Sequence, residues 1–329
     1  MTKAKVFFSQ ELKGILENVD FSKLGQKVAI KVHFGEEGCE TYMRPKLVKK
    51  VYDKIASLDK KPTLVECNVL YKGSRTNSTD HIATARRHGF VDMDIDILDG
   101  ELGDELVEVA DCKIGQGIEK YDSLVVISHF KGHMGAGFGG AIKNVGMGLG
   151  SRAGKLDMHA GTHPVVTEAC IGCGQCAARC DVAAIEIVDG RAVIDEKKCI
   201  GCAMCIAVCP VGAVQIPWGA RSHADLQKKM AQYSAAVLKK IPNAIFINIL
   251  KDITKLCDCM GEKQTAFMND IGFVAGTDIV AVDKASLDLA DEKSKGEFKK
   301  INSIDKDNQL VVAEELGLGQ QEYEVVEVE

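Results

Sequence analysis

Eight of the thirteen cysteines in this 329-residue chain crowd into residues 170 to 209. Cys170, Cys173, Cys176 and Cys180 form one set, and Cys199, Cys202, Cys205 and Cys209 form a second. Each set has the spacing C-x2-C-x2-C-x3-C, and the two are offset by 29 residues. Aligned over 18 residues, CIGCGQCAARCDVAAIEI and CIGCAMCIAVCPVGAVQI agree at ten positions, which marks an internal duplication. Three thiolates separated by pairs of residues wrap around three irons of a cubane, while the fourth points away and ligates the iron of the other cluster. The pattern therefore assigns Cys170, Cys173, Cys176 and Cys209 to one [4Fe–4S] cluster. It assigns Cys199, Cys202, Cys205 and Cys180 to a second. Gly172 and Gly201 stand where the backbone must turn close to the metal. Pro210 closes the second motif, and Asp181 takes the matching place in the first without removing a ligand. Paired zinc knuckles fit less well, because zinc takes four ligands per ion and the third cysteine of each triplet would be misplaced.

Further ligand-capable residues lie outside the repeat. The thiols of Cys257-Asp258-Cys259 diverge in a strand but converge in a turn. There, with His33 or Cys39, they could hold a further metal or a third cluster; two ordinary buried cysteines are the alternative. The stretch HFKGHMGAGFGGAIKNVGMGLGSRAGK holds nine glycines between Gly132 and Gly154, together with Lys131, Lys143, Arg152 and Lys155. Exposed N–H groups in such a loop cradle anions, so a substrate-contacting loop is expected, with a tight loop packed on the cysteine repeat as the plainer alternative. Gly135, Gly137 and Gly140 formally fit G-x-G-x-x-G. The glycines after them make a poor helix, however, and no acidic strand end follows at the dinucleotide spacing. His129 and His133 are four apart, as are His159 and His163, but glycine and proline flanks argue against helices that would present a metal pair. Hydrogen bonds to backbone account for these histidines equally well. His33 and His129 are candidates for proton transfer because imidazole titrates near neutrality. The candidate catalytic set is His33, His129, Lys131, His133 and Lys143.

The elements that would position these groups follow from apolar patterning. Lys5–Phe8, Lys27–Val32, Thr63–Glu66, Ser123–Ser128 and Ala244–Leu250 read as strands of a buried parallel sheet. Pro45–Leu58, Thr79–His88, Asp225–Lys239, Asp283–Ala290 and Leu310–Leu318 read as helices, with Pro45 in a first turn and Gly89 past a last one. Short β stretches, Ala184–Val188 and Ala213–Pro217, follow the two cysteine motifs. Residues Asp291 to Asn308 read as a solvated connection, and the C-terminus as an acidic tail. The fold class is α/β, a mainly parallel sheet with helices, carrying an inserted ferredoxin-like α+β module. The expected division is 1–163 and 219–329 for the α/β domain and 164–218 for the insertion. Ligands bind beyond the carboxyl ends of such strands. Four strands deliver polar groups there: His33, Gly35, Glu36 and Cys39; Cys67, Asn68, Tyr71 and Arg75; His129, Lys131 and His133; Cys257 and Cys259.

Composition narrows the classes. A chain 46% hydrophobic and 27% charged supports a packed core. A net charge of −6 with 5% aromatics disfavours a nucleic-acid binder. No apolar run approaches the ~20 residues of a membrane helix, and the first residues lack a leader-like pattern. A cytoplasmic protein without membrane partners is expected, in which many cysteines mean metal or redox chemistry rather than disulfides.

The cysteine repeat resembles the bacterial two-cluster ferredoxins. Nearly the whole chain, through KVHFGE, SHFKGHMGAGFGGAIKNVGMG, the following GK…MH and DITKLCDC…DIG…DIVAVDKASLDL, resembles domain-of-unknown-function family 362. Within it, the chain is similar to iron–sulfur centre proteins with a ferredoxin insertion. The matching positions are His33, Gly35, Glu36, Asn68, Tyr71, Arg75, His81, His129, Lys131, His133, Lys143, Asn144, Cys257 and Cys259. The resemblance implies two cubane clusters, a redox role and occurrence in anaerobes, but no reaction. The G-G-A-x-K stretch is also faintly similar to a loop of nickel-dependent racemases. Three readings remain open: an iron–sulfur oxidoreductase acting on a small molecule, an electron carrier or adaptor for a partner redox enzyme, and a metal- or cluster-handling protein using Cys257 and Cys259.

Overall fold

The computed structural model describes residues 2–329. Its centre is an eight-stranded sheet made of β1 (Ala4–Ser9), β2 (Lys27–Lys31), β3 (Lys61–Glu66), β4 (Ile95–Ile97), β5 (Ser123–His129), β6 (Ala244–Leu250), β7 (Gly272–Gly276) and β8 (Tyr323–Glu327). The spatial order is β8-β1-β7-β6-β5-β2-β3-β4. Only β7 runs antiparallel to its neighbours, so the sheet is mainly parallel and the fold is α/β. β5 and β6 are buried along their whole length, which is why they read as unbroken apolar runs. Alternate residues serve opposite faces: Val125 and Ile127 enter one core, Leu124 and Val126 the other. Each such fully buried aliphatic side chain contributes roughly 1.5–3 kcal/mol.

The helices that matter for the site are α1 (Pro45–Ala56), α2 (Ser78–Arg87), α3 (Ala141–Leu149), α4 (Arg152–His159), α5 (His223–Lys240) and α6 (Ile279–Lys293). α3 departs from expectation, since its glycines read as helix-poor. A Cβ on Gly146 would collide with the Met230 carbonyl on α5, and one on Gly148 with the Lys31 side chain. The glycines thus permit close packing, which outweighs their helix cost of ~1 kcal/mol each. α3 is capped from outside: the Asp283 carboxylate on α6 accepts from Ala141 N at 2.6 Å and Ile142 N at 2.9 Å.

Two other expectations are corrected. Residues 291–308 are not simply solvated: Phe298, Ile301, Ile304 and Lys306 are buried there, and Lys306 Nζ donates to the Ile301 carbonyl at 2.6 Å. The acidic tail contains β8, which pairs in parallel with β1 and so joins the sheet.

Residues 165–215 carry their own small elements. Val165–Val166 pairs with Val214–Gln215, and Ile185–Val188 with Arg191–Ile194. Short helices span Gln175–Ala178 and Met204–Val208. A separate apolar cluster joins Cys176, Cys205, Ile206, Cys209 and Val214 to Leu70 and Leu156 of the sheet domain.

Candidate functional site

A cavity of about 600 Å³ opens beyond the carboxyl ends of β2 and β3, between α3 and the chain that leaves the cysteine-rich segment. His33, Glu66, Arg75, His133, Lys143 and Cys259 line it, with Trp218 and Arg221 on the side of the cysteine-rich segment. Its floor is charged yet buried. Lys31, the last residue of β2, is fully buried and pairs with Glu66 at 2.7 Å; its ammonium also donates to Asn144 Oδ1 on α3 at 2.7 Å. Arg75 is buried as well and donates to Glu36 Oε2 at 3.2 Å and to the Tyr71 hydroxyl at 2.8 Å. Burial pushes the Glu36 carboxyl up, but Arg75 and hydrogen bonds from Ser74 and Tyr71 hold it below its usual range. His33 accepts from Gly35 N at 3.1 Å, and its other ring nitrogen lies 3.2 Å from Arg75. Burial, then the neighbouring Arg75, keeps it well below the usual imidazole range, hence neutral.

The Cys257 loop meets this floor from β6. A hydrogen bond from Met260 N to the Cys257 carbonyl at 3.0 Å closes a turn over Asp258 and Cys259. The Asp258 carboxylate is tied off by His129 Nδ1 at 2.9 Å and Lys131 Nζ at 2.7 Å. His129 Nε2 meets the Lys251 carbonyl at 3.0 Å, and this histidine lines a different depression, beside Arg44 and Asp252. Of the five candidate catalytic residues, His33, His133 and Lys143 therefore face the cavity, while His129 and Lys131 brace the cysteine turn. Lys143 Nζ lies 3.4 Å from Cys257 Sγ.

Donor atoms of His133, Cys257 and Cys259 lie within 4.8 Å of one another, a spacing at which one metal ion could be held. His33 and Cys39 do not join them. His33 is engaged as above, and Cys39 Sγ contacts the Thr41 hydroxyl at 3.7 Å. A hydrogen bond from the Cys259 thiol, opposed by burial and assisted by Lys143 and His133, holds Cys257 well below the usual thiol range. Sharing that proton, with burial added, pushes Cys259 well above it.

In the cysteine-rich segment, Cys170, Cys173, Cys176 and Cys209 line one small cavity. Backbone N–H groups point at sulfur: Ala184 N to Cys180 Sγ at 3.2 Å, Ala192 N to Cys170 Sγ at 3.4 Å and Ala213 N to Cys209 Sγ at 3.1 Å. Gly172 has φ +64°, and a Cβ there would strike the Gly190 carbonyl. This donor set fits cubane ligation: four cysteines at one cavity and N–H donors for ligand sulfurs.

Sequence reasoning did not single out Lys31, Glu66, Trp218 and Arg221 as site residues, although all but Lys31 line the cavity, as do Lys155 of the glycine-rich stretch and His159 of the second histidine pair. For the first two a signal existed, since a charge inside an otherwise apolar parallel strand must find a buried partner.

A family model described as "Domain of unknown function (DUF362)" matches residues 28–288. No curated protein matches the sequence. Among solved structures, the lactate racemase apoprotein from Thermoanaerobacterium thermosaccharolyticum is 13% identical, with a TM-score of 0.41 over 84% of this chain and 54% of that one. A structural-genomics protein from Thermotoga maritima is 11% identical, with a TM-score of 0.41 over 88% of this chain and 57% of that one. The chain thus spans just over half the length of each.

Proposed function

The chain belongs to the DUF362 family, and from that premise we propose that it is an iron–sulfur redox protein. Residues 164–218 form an inserted ferredoxin-like module with two [4Fe–4S] clusters, between α/β parts 1–163 and 219–329. Cys170, Cys173, Cys176 and Cys209 hold one cluster, and Cys199, Cys202, Cys205 and Cys180 the other. When bound, the clusters supply single electrons. The observation that carries the reading is the cavity shared by Cys170, Cys173, Cys176 and Cys209, since it unites a triplet with the fourth cysteine of the other repeat.

Electrons pass to or from a small-molecule substrate in the strand-end cavity. The loop after β3 supports this coupling, because it touches both regions. Leu70 packs among the cluster cysteines, Lys72 Nζ donates to the Cys209 carbonyl at 2.8 Å, and the Tyr71 hydroxyl reaches the Cys259 carbonyl at 3.4 Å. Lys143 supplies positive charge to an anionic group, while His33 and His133 offer neutral imidazoles for proton exchange. Carriage of electrons to a partner redox protein alone leaves this cavity without a role. A second reading, metal handling at Cys257 and Cys259, is favoured by their spacing to His133.

Variants test the crosswise ligation. Cys173→Ser and Cys209→Ser should each lower bound iron by about one cluster, about four atoms, and perturb the same spectral component. Cys205→Ser should perturb the other. Unchanged iron in all three would reject the assignment.

A further inference from the structure

Hydrogen bonding around Cys257 says more than the spacing of its neighbours does. His133 Nδ1 accepts from Gly135 N at 3.0 Å and Ala136 N at 2.9 Å. With that nitrogen committed as an acceptor, the ring proton resides on Nε2, and a ring nitrogen of His133 lies within 4.8 Å of Cys257 Sγ. A metal-bound imidazole has the reverse arrangement, since it ligates through one nitrogen and donates a proton from the other. Cys257 sulfur is further approached by Lys143 Nζ at 3.4 Å and Cys259 N at 3.4 Å. Two donors, an ammonium and a backbone N–H, therefore converge on one sulfur. Cys257 is only 3% exposed, whereas Cys259, two residues on in the same turn, lines the cavity. Asp258 between them is anchored by His129 and Lys131, which fixes the turn.

We propose that Cys257 and Cys259 are a redox-active dithiol that reduces a small disulfide bearing anionic groups in the strand-end cavity. Cys259, facing the cavity, passes its proton to Cys257, and its thiolate attacks one substrate sulfur and expels R′S⁻. Cys257 then attacks Cys259 of the mixed disulfide as its proton passes to the departing sulfur, which leaves as RSH. The sum is Cys257–S⁻ plus Cys259–SH plus RSSR′, giving the Cys257–Cys259 disulfide, RSH and R′S⁻. The protein disulfide returns to its starting state by accepting two electrons and one proton. The source of those electrons rests on the reading above, one from each cluster. Lys143 lines the cavity and favours an anionic disulfide over a neutral one.

The test uses anaerobic, full-length protein with a carboxylated aryl disulfide as the probe. In the wild type, the peptide holding both cysteines should lose two hydrogens by mass, resist alkylation and recover both properties after a phosphine reductant. Cys257→Ser should stop at a stable aryl adduct on Cys259, and Lys143→Gln should slow the reaction about tenfold. Absence of the intramolecular disulfide, or a stoichiometric metal on the pair that Cys257→Ser removes, overturns the proposal. None of these readouts requires clusters. A separate arm reduces the clusters, removes the excess reductant and adds the probe. Cluster reoxidation in the wild type but not in Cys257→Ser supports electron supply to the dithiol. Absence of reoxidation in the wild type, with the disulfide still forming, overturns that supply alone.

Discussion

The cysteine-rich segment and the strand-end cavity solve opposite problems. The segment is small, leaves Ile171, Ile200 and Val211 exposed, and carries its candidate ligands along a local repeat. The cavity has no local signature. Its charged groups come from residues far apart in sequence and are buried in pairs, Lys31 with Glu66 and Arg75 with Glu36. Metal ligation is a folding energy that a short sequence can encode by itself. A buried polar constellation is instead held by the whole sheet around it.

The largest expected effect is on the cavity floor. Lys31→Ala strips Glu66 of its 2.7 Å partner and leaves only Arg75 at 3.9 Å, which should cost up to about 3–5 kcal/mol in chemical denaturation, whereas Lys31→Met combined with Glu66→Gln should cost much less. Equal losses would mean that the pair is not the cause. Next comes the external cap of α3. Asp283→Ala should cost ~1–2 kcal/mol and misplace Lys143, seen as slower modification of the cysteine pair.

Asp283 also sets a pH dependence. Burial, offset in part by hydrogen bonds from Asn248 and the start of α3, pushes its carboxyl up from 3.8 to about 6. The folded protein binds that proton more tightly than the unfolded chain does. The stability it contributes is present below pH 3.8 and lost as pH rises through about 6. Denaturation of the wild type and Asp283→Asn across this window should show the wild type losing ground to the variant with rising pH; parallel curves would refute the assignment. The smallest effect tests the separation of the two regions. Cys173→Ser should leave the denaturation midpoint of the sheet domain nearly unchanged, within ~0.5 kcal/mol. A large shift would mean that the regions fold as one unit.

The contrast explains what was legible in the sequence. β5 and β6 were readable because strands buried on both faces are continuous apolar runs. α3 was not, because Gly146 and Gly148 answer to Met230 and Lys31 across the fold rather than to helix propensity. β8 was missed because Glu324 and Glu327 made it look solvated, while its pairing is with β1 at the other end of the chain. At the site, the strand-end rule located His33, Arg75 and the Cys257 turn. It could not separate His133 from His129, because both follow β5 and only the bracing of Asp258 distinguishes them.

Counting iron and labile sulfide in anaerobically purified protein, followed by paramagnetic resonance after reduction, tests the central claim most directly. About eight irons and two interacting reduced-cluster signals are predicted. A colourless protein that stays silent on reduction, or one that holds zinc on the repeat cysteines, would contradict it.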